Sequence, residues 1–292
     1  MSSNDPNEFD VVRRITVGNE MGRGKYLLVR HHRNERFYIE KNFERSKARI
    51  RAAEQEIQIL LQAREGPYIS KIKNYFTDPQ EMCGSIWMEY PWEGSLSELI
   101  MGHAEKCLPV YERFCSILFQ QLALAVDFLH RGGGALDWAP IMHRDISPKN
   151  VWLKRTDPDR APTVQLSGFG CAQWKHNPQI EAHQGGDPDF RPPEYPNNDE
   201  FSDVYQMGQT MACLLALAER PPLSLRDVVR SGTYTRKFVE IVRACRREEG
   251  ALESPNSMML PDLLLGAMRV LDPDYEGDLY LSDGPFHNTH SR

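Results

Sequence analysis

The sequence predicts an α+β chain of two lobes, a small β-rich N-terminal lobe and a larger α-helical C-terminal lobe. Three observations lead there. From Ile15 to Phe43, short apolar runs are broken by glycine and a polar turn, the pattern of paired strands. The stretch Pro91-Trp92-Glu93-Gly94 then interrupts the chain like a hinge. Beyond it, apolar residues recur at three- and four-residue steps, the period of helices. With 292 residues, 40% of them hydrophobic, the chain suffices for one large domain or two modest lobes around a buried core.

In chain order, residues 1–10 read as a frayed, disordered tail, 11–90 as the N-terminal lobe, 91–94 as the hinge and 95–292 as the C-terminal lobe, with an acidic tail from about residue 272. Tyr26-Leu27-Leu28-Val29 and Phe37-Tyr38-Ile39, separated by the polar turn His31 to Glu35, predict strand, turn and strand. Ser46 to Arg64 predicts a helix, since Ile50, Ala53, Ile57, Leu60 and Leu61 line one face. Ile69 to Phe76 and Ser85 to Tyr90 predict further strands. A broad stripe of Phe114, Ile117, Leu118, Leu122, Ala125, Val126 and Leu129 predicts a long helix. Its sequel, Arg131 to Pro140, reads as an insertion that is flexible at its glycines. After a Gly/Pro-rich middle, Pro140 to Pro196, helices resume at Val204 to Ala218, Leu225 to Arg246 and Leu260 to Leu271. There is no internal repeat.

Composition removes several functions. Lys and Arg number 35 against 41 Asp and Glu, a net charge of −6, which argues against broad nucleic-acid binding because that needs a basic excess to neutralise phosphates. No run approaches the roughly 18 apolar residues of a membrane span. The polar opening Met1-Ser2-Ser3-Asn4-Asp5-Pro6 lacks the basic-then-apolar order of a signal peptide. The cysteines, Cys83, Cys107, Cys115, Cys171, Cys213 and Cys245, form no CxxC pair, so buried thiols in a reducing compartment, cytosol or nucleus, are expected rather than a metal site.

The chemistry concentrates in Ile141-Met142-His143-Arg144-Asp145-Ile146-Ser147-Pro148-Lys149-Asn150, a carboxylate five residues before an amide on a polar loop. This string resembles the catalytic loop of protein kinases. Other pieces follow in the family's order over roughly residues 15 to 275. Met21-Gly22-Arg23-Gly24 resembles the glycine-rich phosphate loop, with Val29 following it, although Leu27 stands where a third glycine is usual. Tyr38-Ile39-Glu40-Lys41 resembles the strand whose lysine pairs with phosphates, and Glu56 the helix acid that tethers it, with Glu54 a near competitor. Met88-Glu89-Tyr90-Pro91 resembles the hinge, Pro192-Pro193-Glu194 the Ala-Pro-Glu motif, and Ser202-Asp203 the start of the buried helix that anchors the catalytic loop.

The resemblance implies a bilobal protein-kinase-like fold and residue roles. Asp145 would orient the acceptor hydroxyl and take its proton, with Lys149 as a replacement cation. ATP would meet Gly22, Gly24, Val29, Lys41, Glu56 and Glu89. Asn150 would hold a metal ion, while His143, Arg144, Glu194 and Asp203 would be structural. The His-Arg-Asp form favours the protein-kinase branch over small-molecule kinases.

Departures from the pattern are as informative. Ser167-Gly168-Phe169-Gly170 stands in place of Asp-Phe-Gly, so the carboxylate that would bridge Mg2+ to the phosphates is missing, and magnesium use is doubtful. Asn150 alone is a poor ligand for a hard dication. Pro91 falls where the hinge backbone would donate its N–H to the base, and proline has none. Ser147 and Asp187 replace the lysine and threonine expected around the base, which would set Asp187 against Asp145 unless Lys149 intervenes. Cys171 to Arg191 contains no Ser, Thr or Tyr, so this segment cannot be switched by phosphorylation; Glu181, His176 or His183, or a partner, would have to order it. No counterpart stands out for the arginine that pairs with the Pro-Glu acid, and the acidic stretch from Asp272 to Asp278 lies where it would be sought.

Three functions stay open. The first is a catalytically impaired or inactive kinase-like domain (a pseudokinase) with weak ATP binding that works by contact with other proteins. The second is an active, atypical Ser/Thr protein kinase, and the third, well behind, a small-molecule phosphotransferase. Neither nucleic acid nor membrane is an expected partner.

Overall fold

A computed structural model describes residues 8–15, 25–44, 46–91, 93–155, 161–176 and 186–271. The strands β1 (Phe9–Ile15), β2 (Lys25–His31), β3 (Phe37–Glu44), β4 (Ile72–Asp78) and β5 (Cys83–Glu89) form one antiparallel sheet in the order β1-β2-β3-β5-β4. Alternation sorts β3 into two faces. Ile39, Lys41 and Phe43 are buried, and helix α1 (Lys47–Gln62), which follows β3 in the chain, packs its own apolar stripe into the same core. Ser46 starts that helix by accepting the Arg49 N–H.

The C-terminal lobe is built around two long helices, α3 (Glu112–Arg131) and α4 (Glu200–Ala216). Nearly every residue of α4 from Ser202 onward is buried, so it serves as the lobe's central post. Asp199 and Ser202 close its first turn in a reciprocal capping box, and Ser95 and Glu98 do the same for α2 (Leu96–Glu105). Two short antiparallel pairs, β6 (Ile141–Met142) with β9 (Gln173–Trp174) and β7 (Val151–Lys154) with β8 (Thr163–Leu166), flank the loop from His143 to Asn150. Buried residues of both lobes, from Ile39 and Leu60 to Phe169 and Met211, form one continuous core cluster.

Three expectations need correcting. Strand β1 begins at Phe9, inside the tail expected over residues 1–10, because Phe9 stacks on Trp87 with ring centroids 5.4 Å apart and Glu8 pairs with Arg33 at 3.0 Å. The run Leu225 to Arg246 divides into α5 (Arg226–Ser231) and α6 (Arg236–Cys245), since Gly232 ends the first at φ +66° and Thr235 caps the second. The Arg131 to Pro140 loop is pinned rather than loose. The Trp138 indole donates to the Leu129 carbonyl at 2.8 Å, and a Cβ on Gly132 would lie 2.2 Å from that ring. Here glycine permits close packing. Helix α7 (Leu260–Leu271) keeps the bounds read from the sequence.

All six cysteines are free, four of them buried. Among the described residues no helix is long and apolar enough to cross a membrane, and no cluster of three His, Cys, Asp or Glu side chains forms a metal site. Gly22 and Gly24, Glu181 and His183, and the tail from Asp272 lie outside the described residues.

Candidate active site

The site begins with a buried charge pair. Lys41, an inward position of β3, places its Nζ 2.8 and 2.6 Å from the two carboxylate oxygens of Glu56 on α1, and both side chains are under 5% exposed. Helical periodicity selects Glu56, which shares the buried face of Ala53, Ile57 and Leu60, whereas Glu54 points to solvent. Burial works against the lysine's charge, but Glu56 and the Tyr26 hydroxyl outweigh it and hold the ammonium above its ordinary pKa.

Across the cleft, the loop from His143 to Asn150 hangs on one carboxylate. Asp203, fully buried near the start of α4, accepts the backbone N–H of His143 and of Arg144, each at 2.8 Å, and meets His130 Nε2 at 3.0 Å. Gln206 accepts the Ile146 N–H at 3.0 Å one turn later. Two turns of one helix therefore fix the loop, with Arg144 at φ +67°. His143 Nε2 donates to the Ser167 carbonyl at 2.9 Å, and its Nδ1 accepts the Asp145 N–H at 3.3 Å. That pattern defines a neutral ring, in keeping with burial that lowers its pKa despite nearby Asp203 and Asp145. Phe169 packs on the same ring, centroids 4.8 Å apart.

At the centre, Asp145 accepts from two sides. Asn150 Nδ2 donates to its Oδ2 at 2.9 Å and to its carbonyl at 2.7 Å, and the Asp187 N–H donates to Oδ1 at 2.9 Å. Asp187 presents a backbone donor to Asp145, while its own carboxylate faces Lys149 Nζ at 3.3 Å. The cation expected to intervene thus lies on the Asp187 side. A lysine–glutamate pair facing a positioned aspartate and asparagine is the constellation of a phosphoryl-transfer cleft.

Comparison with known proteins decides the family. The model for the protein kinase domain matches residues 15–269. The chain belongs to the protein kinase domain family. Among its relatives, the human serine/threonine-protein kinase ULK3 is 30% identical over 62% of this chain and 35% of its own, and the rat protein is 29% identical over 78% and 43%. Calcium-dependent protein kinase 27 of Arabidopsis thaliana is 25% identical over 70% of this chain and 42% of its own. The chain spans less than half the length of these curated relatives.

Two features of this kinase domain escape or mislead a reading of the sequence. Glu194 does have its arginine: Arg247, just past α6, reaches it with two bonds, 2.8 and 3.2 Å. Although partial burial of Glu194 opposes ionisation, Ser202 and Arg247 keep its pKa below the usual value. Arg247→Ala is expected to cost about 1 kcal/mol in urea unfolding, since the pair is half-exposed but bidentate. Val29 is the second. It lies opposite Tyr38, one face away from Lys41, whereas Leu28 lies opposite Ile39 and shares the Lys41 face. Both are buried, Val29 on the opposite face of the sheet from Lys41.

At the hinge, Glu89 turns its carboxylate to Lys73 and, at 2.7 Å, to Lys154. Burial raises its pKa less than the two lysines lower it, to about 2.

The residues present do not fit the divalent cation that such a cleft usually holds. Gly168 supplies no acid and sits at φ +82°, and a Cβ built there would lie 2.4 Å from Asn150 Oδ1 and Cγ. The Asn150 side chain fills the space an acid would need; its Nδ2 donates to Asp145, and its Oδ1 would be a lone neutral oxygen ligand beside Gly168.

Proposed function

We propose that this protein kinase domain binds ATP through Lys41 and Glu56 with little help from magnesium, transfers phosphate poorly or not at all, and acts by contact with other proteins. The observation that carries this is Asn150 closed against Gly168 and bonded to Asp145. Losing one preorganised electrostatic group costs on the order of 10²–10³ in rate, and a principal metal ligand is worth at least that. A transfer assay with labelled ATP and basic protein substrates tests it. Activity indistinguishable from an Asp145→Asn control is expected, and robust transfer above that control would sink the proposal.

The alternative, an active atypical Ser/Thr kinase, draws support from one contact. Lys149 pairs with the Asp187 carboxylate, while Asp145 accepts the Asp187 backbone N–H. The Gly168→Asp variant separates the two. With Asn150 in place, the added Cβ has no room, so the variant is expected to lose stability and gain no magnesium-dependent ATP binding. A gain in magnesium-dependent transfer would favour the active kinase.

A further inference from the structure

We infer that the acidic segment Asp272 to Asp278 docks on the C-terminal lobe itself, against a basic surface formed by Arg236, Lys237 and Arg269. This docking does not depend on the nucleotide binding proposed above. Helix contacts bring the three cations together. The Lys237 Nζ, in the first turn of α6, donates to the Gly266 carbonyl of α7 at 3.1 Å. Arg269 follows Gly266 by three residues, so it lies on the same face of α7, one turn nearer its end. Arg236 precedes Lys237 as the first residue of α6. All three are exposed, and none forms an ion pair among the described residues. The first turn of α6 holds no acid, and Asp262, one turn back from Gly266, makes no ion pair with Lys237.

The chain delivers its own counter-charge to this place. Helix α7 runs antiparallel to α3: Ser257, just ahead of it, meets His130 late in α3 at 3.0 Å, and Met268 near its end packs on Ile117 early in α3. It therefore ends beside the start of α3, where Glu112 accepts the Thr235 N–H and hydroxyl, both at 2.5 Å, next to Arg236. Leu271 lies about 8 Å of helical rise beyond Gly266. The next seven residues, Asp272-Pro273-Asp274-Tyr275-Glu276-Gly277-Asp278, lie outside the described residues and carry four carboxylates and no cation. Fully extended they reach about 25 Å, ample for turning back over Arg269 and Lys237. Beside the cations, Tyr111 is 68% exposed and offers apolar surface to Tyr275. Tethering makes the encounter intramolecular, so modest attraction suffices to seat the segment. Seated there, it withholds the same basic surface from acidic segments of other proteins.

A zero-length carbodiimide, which joins a lysine amine to a carboxylate in contact with it, reads the docking in the full chain. In about 10 mM salt, where charges act over about 30 Å, Lys237 is expected to link to Asp272, Asp274, Glu276 or Asp278. In about 0.5 M salt, where the Debye length is about 4 Å, the yield should fall at least about threefold. The double variant Arg236→Glu with Arg269→Glu should lower the low-salt yield in the same way; both side chains are exposed, so the fold should survive. A yield unchanged by salt and by the double variant overturns the inference. Mixing isotope-labelled with unlabelled protein identifies the occupant. Links confined to one isotope support docking of the chain on itself, whereas a statistical share of hybrid links assigns the surface to a second copy and overturns it. Lys237 linked only to Asp262, or to nothing, overturns it too, as does a segment that links to the exposed Lys47 of α1 as often as to Lys237.

Discussion

Replacing Lys41 with methionine is expected to destabilise the protein by about 3–5 kcal/mol, because it strands the Glu56 carboxylate in the core without a counter-charge. Urea unfolding reads the cost. The double variant Lys41→Met with Glu56→Leu should recover most of it, since replacing a buried pair by apolar side chains is often close to neutral. Both variants should lose ATP binding, which separates the pair's role in folding from its role at the nucleotide. Titration gives an independent check. Although burial disfavours the Lys41 charge, Glu56 raises its folded pKa above the ordinary 10.5. The pair's contribution is therefore complete below pH 10.5 and is lost as pH rises through the folded value. Wild-type stability should fall along that alkaline limb, and the double variant should not share the fall. A single variant as stable as wild type would contradict this account of the core.

Asp203→Ala should be as damaging. It orphans two backbone N–H groups and one imidazole in a fully buried position, at about 1–3 kcal/mol for each unsatisfied group, partly relieved by relaxation. Urea unfolding should show a loss of several kcal/mol, and amide exchange should accelerate at His143 and Arg144 ahead of the rest of the lobe. Acid pH should act through the same groups. Burial opposes the Asp203 charge, but His130 and the loop donors depress its pKa, so its contribution holds above the ordinary 3.8 and disappears as pH falls through the folded value. His143 acts earlier. Burial depresses its pKa, so its share of stability is present above 6.5 and declines as pH falls toward the folded value. A stability profile flat from pH 7 to pH 4 would contradict the buried network.

Most of the scaffold is written in local pattern. Periodicity of three and four places α1 and α3, whereas the Lys41–Glu56 pair is legible only through the resemblance, and burial in the fold selects Glu56 over Glu54. Asp203 stands out because its helix begins with a recognisable string. What stays hidden is nonlocal. Arg247 meets Glu194 from 53 residues away, and nothing near either residue announces the partner. Which of Leu28 and Val29 shares the Lys41 face depends on strand register, which the sequence does not state. The first strand escapes a pattern reading because its residues are mostly exposed, and its ties are nonlocal: pairing with β2, and Phe9 on Trp87. The missing acid at Gly168 is visible in the sequence, whereas the response of Asn150 to that gap is a matter of packing.

Calorimetric titration of the protein with ATP, in the presence of magnesium and then of a chelator, addresses the central claim most directly. The expected result is modest affinity that is the same in both buffers, because Gly168 offers no carboxylate to join the neutral Asn150 oxygen around a cation. Binding that tightens at least about tenfold with magnesium would mean a cation is held at Asn150 after all, and the account of the site would be wrong.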